Sequence, residues 1–259
     1  MLLTQKAIAE GGRAMIYAAA QIADLMVDAG RRQDRATQDK HDDTLGFYTP
    51  ILKGFLTEMG LEAANLGMQV FGGHGYIHEH GMEQIARDAR IATLYEGTTG
   101  IQALDLLGRK VLLGTRGKCV RDFSRIMLRS AKAHWLAHGP IGRMARSTAK
   151  RAIEWNLLTL RIMRRVGKDR DLVGSASVDY LMYSGYVMMA HFWARQAAVA
   201  QTFLRNGKGA ESAEFYRAKI QTAEFYFDRL LPRADAHRKS ALAPTRSLMQ
   251  MGNGDFAFS

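Results

Sequence analysis

The sequence predicts an all-α protein, a helical bundle followed by a second antiparallel helical bundle, and three observations predict it. Apolar residues recur at three- and four-residue spacing over long windows. Strict alternation of the strand kind is hard to find. Only four prolines, at 50, 140, 232 and 244, punctuate 259 residues, too few for a loop-rich fold.

The elements follow in order. The first helix covers residues 3–29 and is closed by Gly30 as a C-cap. Residues 31–44, RRQDRATQDKHDDT, are polar throughout and read as an exposed loop. Thr49-Pro50 reads as an N-cap followed by proline at the first helical position, opening a helix that stops at Gly72-Gly73. MEQIARDARI gives about three helical turns, and YEGTTG breaks them. IQALDLLGRKVLL resumes the helix with Ile101, Leu104, Leu107 and Val111 as its apolar face and Gly114 as its stop. GTRGK at 114–118 marks the domain boundary. One domain then spans residues 1–115 and an additional helical domain spans 116–259. Helices of roughly 118–138, 140–167, 171–206 and 210–239, joined by short turns, predict the antiparallel bundle. The last residues, PTRSLMQMGNGDFAFS, lack periodicity and read as a tail.

Composition excludes several classes. With 47% apolar and 24% charged residues the chain is ordinary for a soluble globular protein. No apolar run approaches the ~18 residues that span a bilayer. The N-terminus is amphipathic and contains Glu10, unlike a secretory signal. A single cysteine, Cys119, leaves no disulfide framework and suits a reducing, cytoplasmic setting. The net charge of +11 is unevenly placed. Residues 116–170 carry 15 Lys and Arg against 3 Asp and Glu, while 1–115 carry 11 against 14. Such a segment is a solvated face for an acidic partner or an anion and nucleic-acid patch. The absence of a nucleic-acid motif and the scarcity of aromatics favour the former, so nucleic acid is the weaker alternative.

Two short stretches carry candidate chemistry. In ATLYEGTTGIQ, Glu96 follows Leu94 and Tyr95 at a helix break. Apolar neighbours there would desolvate the carboxylate and suit it to act as a general base; the alternative is a helix-end carboxylate beside backbone N–H groups. Thr98 and Thr99 read as N-caps of the next helix, whose free N–H groups could meet an anion. In FGGHGYIHEHG, Gly72, Gly73 and Gly75 allow close backbone approach by a ligand, but no strand precedes them and the GxGxxG spacing is absent. His74, His78 and His80 lack the HExxH order, so no metal site is expected.

The stretch QVFGGHGYIHEHGMEQIARDARIATLYEGTTGIQALDLLGRKVL resembles the C-terminal helical domain of the acyl-CoA dehydrogenase family. Three features carry the resemblance: Gln69-x-Phe71-Gly72-Gly73-x-Gly75-Tyr76, then Arg87-Asp88, then Tyr95-Glu96-Gly97-Thr98. KAIAEGGRAMIYAAAQIADL is similar to the helix that follows the family's β-domain. YFDRLLPRADAH, with the long helices before it, resembles the extra C-terminal domain of the larger bacterial members. The resemblance implies a catalytic base at Glu96 that removes the pro-R α-proton of an acyl-CoA thioester, with the β-hydride passing to FAD. It implies Gly97 against the substrate, Thr98 and Gly100 near the flavin, and Gln69, Gly72 and Gly73 touching the FAD of a neighbouring subunit. A homodimer or homotetramer follows, with electron-transfer flavoprotein as the electron acceptor. Gly100 departs from the polar residue usual in the family. The family's N-terminal helical domain and β-domain have no counterpart here. The chain is thus expected to be a C-terminal portion, weak in FAD binding and inactive alone. A non-enzymatic module of the same fold, binding nucleic acid through 116–170, is the second expectation.

Overall fold

The structure, a computed structural model, describes residues 1–207 and 209–256. Among the described residues every regular element is helical: α1 (Leu2–Arg31), α2 (Arg35–Val70), α3 (Met82–Ile91), α4 (Thr99–Leu104), α5 (Lys118–Lys132), α6 (Gly139–Val166), α7 (Leu172–Asn206), α8 (Ala213–Phe225), α9 (Arg233–Ser240) and the short α10 (Arg246–Met249). Wider π-helical turns extend α4 over Asp105–Gly114 and α8 over Tyr226–Leu230. Single 3₁₀ turns occupy Gly72–Gly75, His78–His80 and Asn253–Phe256. The final residues 257–259 of the expected tail lie outside the described residues.

Helix α7 organises the molecule. Its sequence YLMYSGYVMMAHFW, residues 180–193, is apolar around its whole circumference, and all fourteen residues are buried. A helix with no polar face has to be wrapped on every side. Here α1, α2, α4, α6, α8 and α9 wrap it. Glycines set the closest crossings: Gly54 of α2 faces Leu181, Gly11 of α1 faces Met189 and Trp193, and Gly185 admits the ring of Phe55. Several of the polar atoms that this burial carries inward are paired, while Tyr183 Oη and His191 Nδ1 have no hydrogen-bond partner among the described residues. Trp193 Nε1 donates to the Ala7 carbonyl at 3.2 Å, and Tyr226 OH donates to the Tyr186 carbonyl at 2.7 Å. Thr159 and Tyr180 share a hydrogen bond of 2.7 Å. Each fully buried large side chain contributes roughly 1.5–3 kcal/mol.

Neighbouring helices run antiparallel, as the contacts show. Gly12 meets Leu56 and Gly30 meets Gln38 across α1 and α2. Phe203 stacks on Tyr216 while Tyr186 meets Tyr226 across α7 and the α8 extension. One hydrophobic core takes residues from α1 and α2 as well as from α5 to α9.

Four local expectations are corrected. Residues 35–44 belong to α2 instead of a loop, because Asp34 caps the helix by accepting from the Thr37 N–H at 3.1 Å, and their polarity reflects a solvated helix surface. Pro50 does not open that helix but lies inside it. The missing N–H costs up to ~3 kcal/mol, which the burial of Phe47, Tyr48, Ile51 and Phe55 around it offsets. Of the expected apolar face Leu107 and Val111 are buried, but Ile101 and Leu104 are exposed, and Ala103 and Leu106 are buried in their place. The π turns after residue 105 rotate the inward face away from a 3.6-residue period. The single helix expected at 210–239 is divided near Pro232, with Ser212 capping its first part.

Candidate active site

Helix α2 ends at Val70, and Gly72–Gly75 follow as one 3₁₀ turn. Gly72 has φ +59, and a Cβ on Gly72 or Gly73 would meet nothing within 4 Å. Gly75 differs: a Cβ there would press on the Met68 carbonyl oxygen at 2.3 Å, so that glycine serves the turn itself. Gln69 is exposed on the last turn of α2.

The second half of the site begins where α3 ends. Residues 92–98 form an irregular segment, within which Glu96 holds φ +49 and Gly97 φ +100. A left-handed backbone at a non-glycine residue is uncommon and costs of order 1 kcal/mol. Helix α2 braces this segment. The Lys53 ammonium donates to the Ala92 carbonyl and lies 4.8 Å from the Tyr95 ring centroid. The Thr99 hydroxyl donates to Glu58 Oε1 at 2.5 Å. Gln102 fills the space beside Gly97, where a Cβ would lie 2.3 Å from its Nε2. Thr98 caps α4, accepting from the Ile101 N–H at 3.4 Å, whereas Thr99 spends its hydroxyl on Glu58 and is no cap. Gly100 is open to solvent, with nothing within 4 Å of a Cβ.

Glu96 itself is exposed, and Leu94 and Tyr95 beside it are 47% and 52% exposed. The desolvating wall expected from these neighbours is therefore not formed by this chain. The segment turns outward at the helix break instead of folding over its own carboxylate.

A groove of about 730 Å³ brings Gln69 and Thr99 together with Glu58, Glu62 and Met182. Arg233 pairs with both oxygens of Glu62 at 2.8 Å. A second depression of about 670 Å³ holds Tyr76, His78, Glu83, Arg87 and Arg90. The three histidines do not converge. His78 Nδ1 lies 3.3 Å from Glu83, while His74 and His80 pack edge to face at 5.3 Å. Among the described residues no group of three or more His, Cys, Asp or Glu is placed to hold a metal.

Lys53, Glu58 and Gln102 were not singled out from the sequence. Each is an ordinary helix residue, and their shared role appears only when α2 lies beside the 92–102 segment. No spacing rule would have found them.

Family models match both parts of this helical architecture. Residues 1–112 match the family model described as acyl-CoA dehydrogenase, C-terminal domain, and residues 121–252 match acetyl-CoA dehydrogenase C-terminal like. The chain belongs to the acyl-CoA dehydrogenase family. It is 36% identical over 240 residues to a 3-methylmercaptopropionyl-CoA dehydrogenase of Ruegeria pomeroyi, covering 91% of this chain and 39% of that protein. It is 28% identical to the broad-specificity linear acyl-CoA dehydrogenase FadE5 of Mycobacterium tuberculosis, covering 98% of this chain and 42% of the relative. The chain thus spans about two-fifths of the length of these relatives. A solved acyl-CoA dehydrogenase complexed with FAD from Bacillus anthracis shares the fold at TM-score 0.69 and 15% identity, over 97% of this chain and 42% of that one. ACDH-11 of Caenorhabditis elegans, solved in complex with C11-CoA, matches at TM-score 0.68 and 18% identity, over 90% and 38%.

Proposed function

We propose that this chain is the base-bearing C-terminal portion of a flavin-dependent acyl-CoA dehydrogenase that oxidises the Cα–Cβ bond of an acyl-CoA thioester to the trans-2-enoyl-CoA. The left-handed backbone at Glu96, φ +49, followed by Gly97 at φ +100, carries this reading. Strained backbone of this kind persists where surrounding structure over-determines it, and it clusters at functional sites. Here Lys53, Glu58 and Gln102 hold a segment that leaves one carboxylate exposed at a helix break.

Glu96 acts as general base toward the pro-R α-proton of the thioester. The electrons of that C–H bond become the new π bond as a hydride leaves the β-carbon. Negative charge builds on the thioester oxygen, and the backbone N–H of Glu96 is one donor suited to it. Gly97 presents no side chain to the substrate. FAD, when bound, supplies the two-electron acceptor for the hydride. The residues present fit the outer side of such a group, because Gly72, Gly73 and Gly100 leave open backbone surface next to the exposed Gln69. Gln69, Gly72 and Gly73 would touch the FAD of a neighbouring subunit, and Thr98 and Gly100 the flavin of their own. The assembly is then a homodimer or homotetramer, cytoplasmic, with electron-transfer flavoprotein as electron acceptor. The division of the chain into domains 1–115 and 116–259 belongs to the same proposal.

Addition of an acyl-CoA to the complete flavin-loaded protein tests the role of Glu96. Glu96→Gln retains the yellow flavin and abolishes its bleaching by substrate. Bleaching at the wild-type rate in that variant removes Glu96 from the role of base.

A further inference from the structure

The α5–α6 pair presents a second surface, remote in sequence from the 69–100 edge. The two helices run antiparallel and close. Gly117 packs on Thr159 and Met163 at one end, Ala131 joins Ala145 and Ala149 at the other, and Ser124 Oγ donates to the Ala152 carbonyl at 3.3 Å between them. Their outward faces therefore adjoin. On α5, Lys118, Arg121, Arg125, Arg129 and Lys132 recur at three- and four-residue spacing, and all are exposed. On α6 the exposed stripe is Arg146, Lys150, Ile153, Leu157, Leu160, Arg161 and Arg164. Ile153 and Leu157 are 53% and 46% exposed in the midst of these cations. The turn between the helices adds Trp135 at 46% and Leu136 at 87%.

Little of this charge is neutralised. Lys118 and Arg125 share Asp122, and Lys150 lies 3.9 Å from Glu154. Among the described residues Arg121, Arg129, Lys132, Arg161 and Arg164 form no ion pair. A solvated face accounts for the cations but not for a row of aliphatic side chains along their centre. Nucleic acid would use the cations and has no complement for Ile153, Leu157, Leu160 and Leu136. An anionic bilayer surface complements both: lipid headgroups meet the guanidinium groups while aliphatic and tryptophan side chains enter the headgroup boundary. No described helix is long and apolar enough to cross a membrane, so contact is peripheral.

We infer that the outer face of α5 and α6, with the Trp135-Leu136 turn, docks this protein on an anionic lipid surface. Co-sedimentation with vesicles of about equal phosphatidylglycerol and phosphatidylcholine, against phosphatidylcholine alone, tests this. Partition to the anionic vesicles should exceed that to neutral ones at least about tenfold and fall steeply between about 0.05 M and about 0.5 M salt. Trp155 and Trp193 are fully buried, so a blue shift of tryptophan emission on binding reports Trp135. Replacing Arg121, Arg129, Arg161 and Arg164 together by Gln should lower partition at least about tenfold. Leu136→Ser with Leu157→Ser should weaken binding and the blue shift, with helical circular dichroism and melting temperature unchanged. Any of three results overturns the inference: no preference for anionic vesicles, binding to duplex DNA in place of vesicles, or self-association that blue-shifts Trp135 without lipid.

Discussion

At the centre of α7 a Cβ on Gly185 would lie 2.1 Å from Phe55 Cγ, whereas at the 69–100 edge a Cβ on Gly73 or Gly100 would meet nothing within 4 Å. The first glycine is required by what this chain packs inside itself. The other two face space that this chain leaves open. Around α7 the structure is over-determined by its own contacts, while at the edge the positive φ values of Gly72, Glu96 and Gly97 hold a surface without covering it. Structural glycine and site glycine are thus told apart by what surrounds them.

The largest effect comes from breaking the crowded side of that contrast. Gly185→Val should destabilise the protein by about 3 kcal/mol or more, since overpacking costs 1–3 kcal/mol and here two further carbons accompany the clashing Cβ. Denaturant midpoints at constant slope measure it. Phe55→Leu in the same chain should recover part of the loss. A stability equal to wild type would mean that α2 and α7 are not in register at this crossing.

The fold was largely legible in the sequence because it rests on periodicity. The long helix at 171–206, the glycine at 114 and the turn signals between the later helices needed no tertiary knowledge. The errors lie where tertiary packing overrides local chemistry. Pro50 reads as a helix start from its ring alone, and only the burial of its neighbours keeps it inside α2. Ile101 and Leu104 fit an α period that the π turns abolish. At the proposed site, the motif singled out Glu96, Gly97 and the glycine loop, and the structure adds their left-handed backbone at Gly72, Glu96 and Gly97. Lys53 and Glu58 were not, because their bracing contacts span 39 and 41 residues.

A second test separates interior from edge by pH. His191 is 1% exposed on α7, its ring against Phe123 and Phe192, and burial first, then the nearby Arg195, pushes its pKa down to about 4. The unfolded chain binds this proton near pH 6.5 and the folded one does not. Stability is therefore fully present above about pH 6.5 and declines as pH falls toward 4, by about 2–3 kcal/mol. His191→Phe should flatten the stability profile across that window, as followed by chemical denaturation at several pH values. An unchanged slope would place the acid sensitivity elsewhere.

The smallest effect sharpens the comparison within the edge itself. Gly97 and Gly73 both belong to the proposed site, yet they differ in what holds them. Gly97 combines φ +100 with Gln102 at its back, so Gly97→Ala should cost about 1–2 kcal/mol through backbone strain and displacement of that amide. Gly73 has ordinary φ and open space around it, so Gly73→Ala should change stability by less than about 0.5 kcal/mol. If the open surface is shaped for a neighbouring subunit's flavin, the second variant should nonetheless weaken FAD retention in the complete assembly, read from the ratio of flavin to protein absorbance. Equal stability losses in both variants would mean that Gly73, like Gly97, is held by this chain's own packing, and the contrast between the two kinds of glycine would fail there.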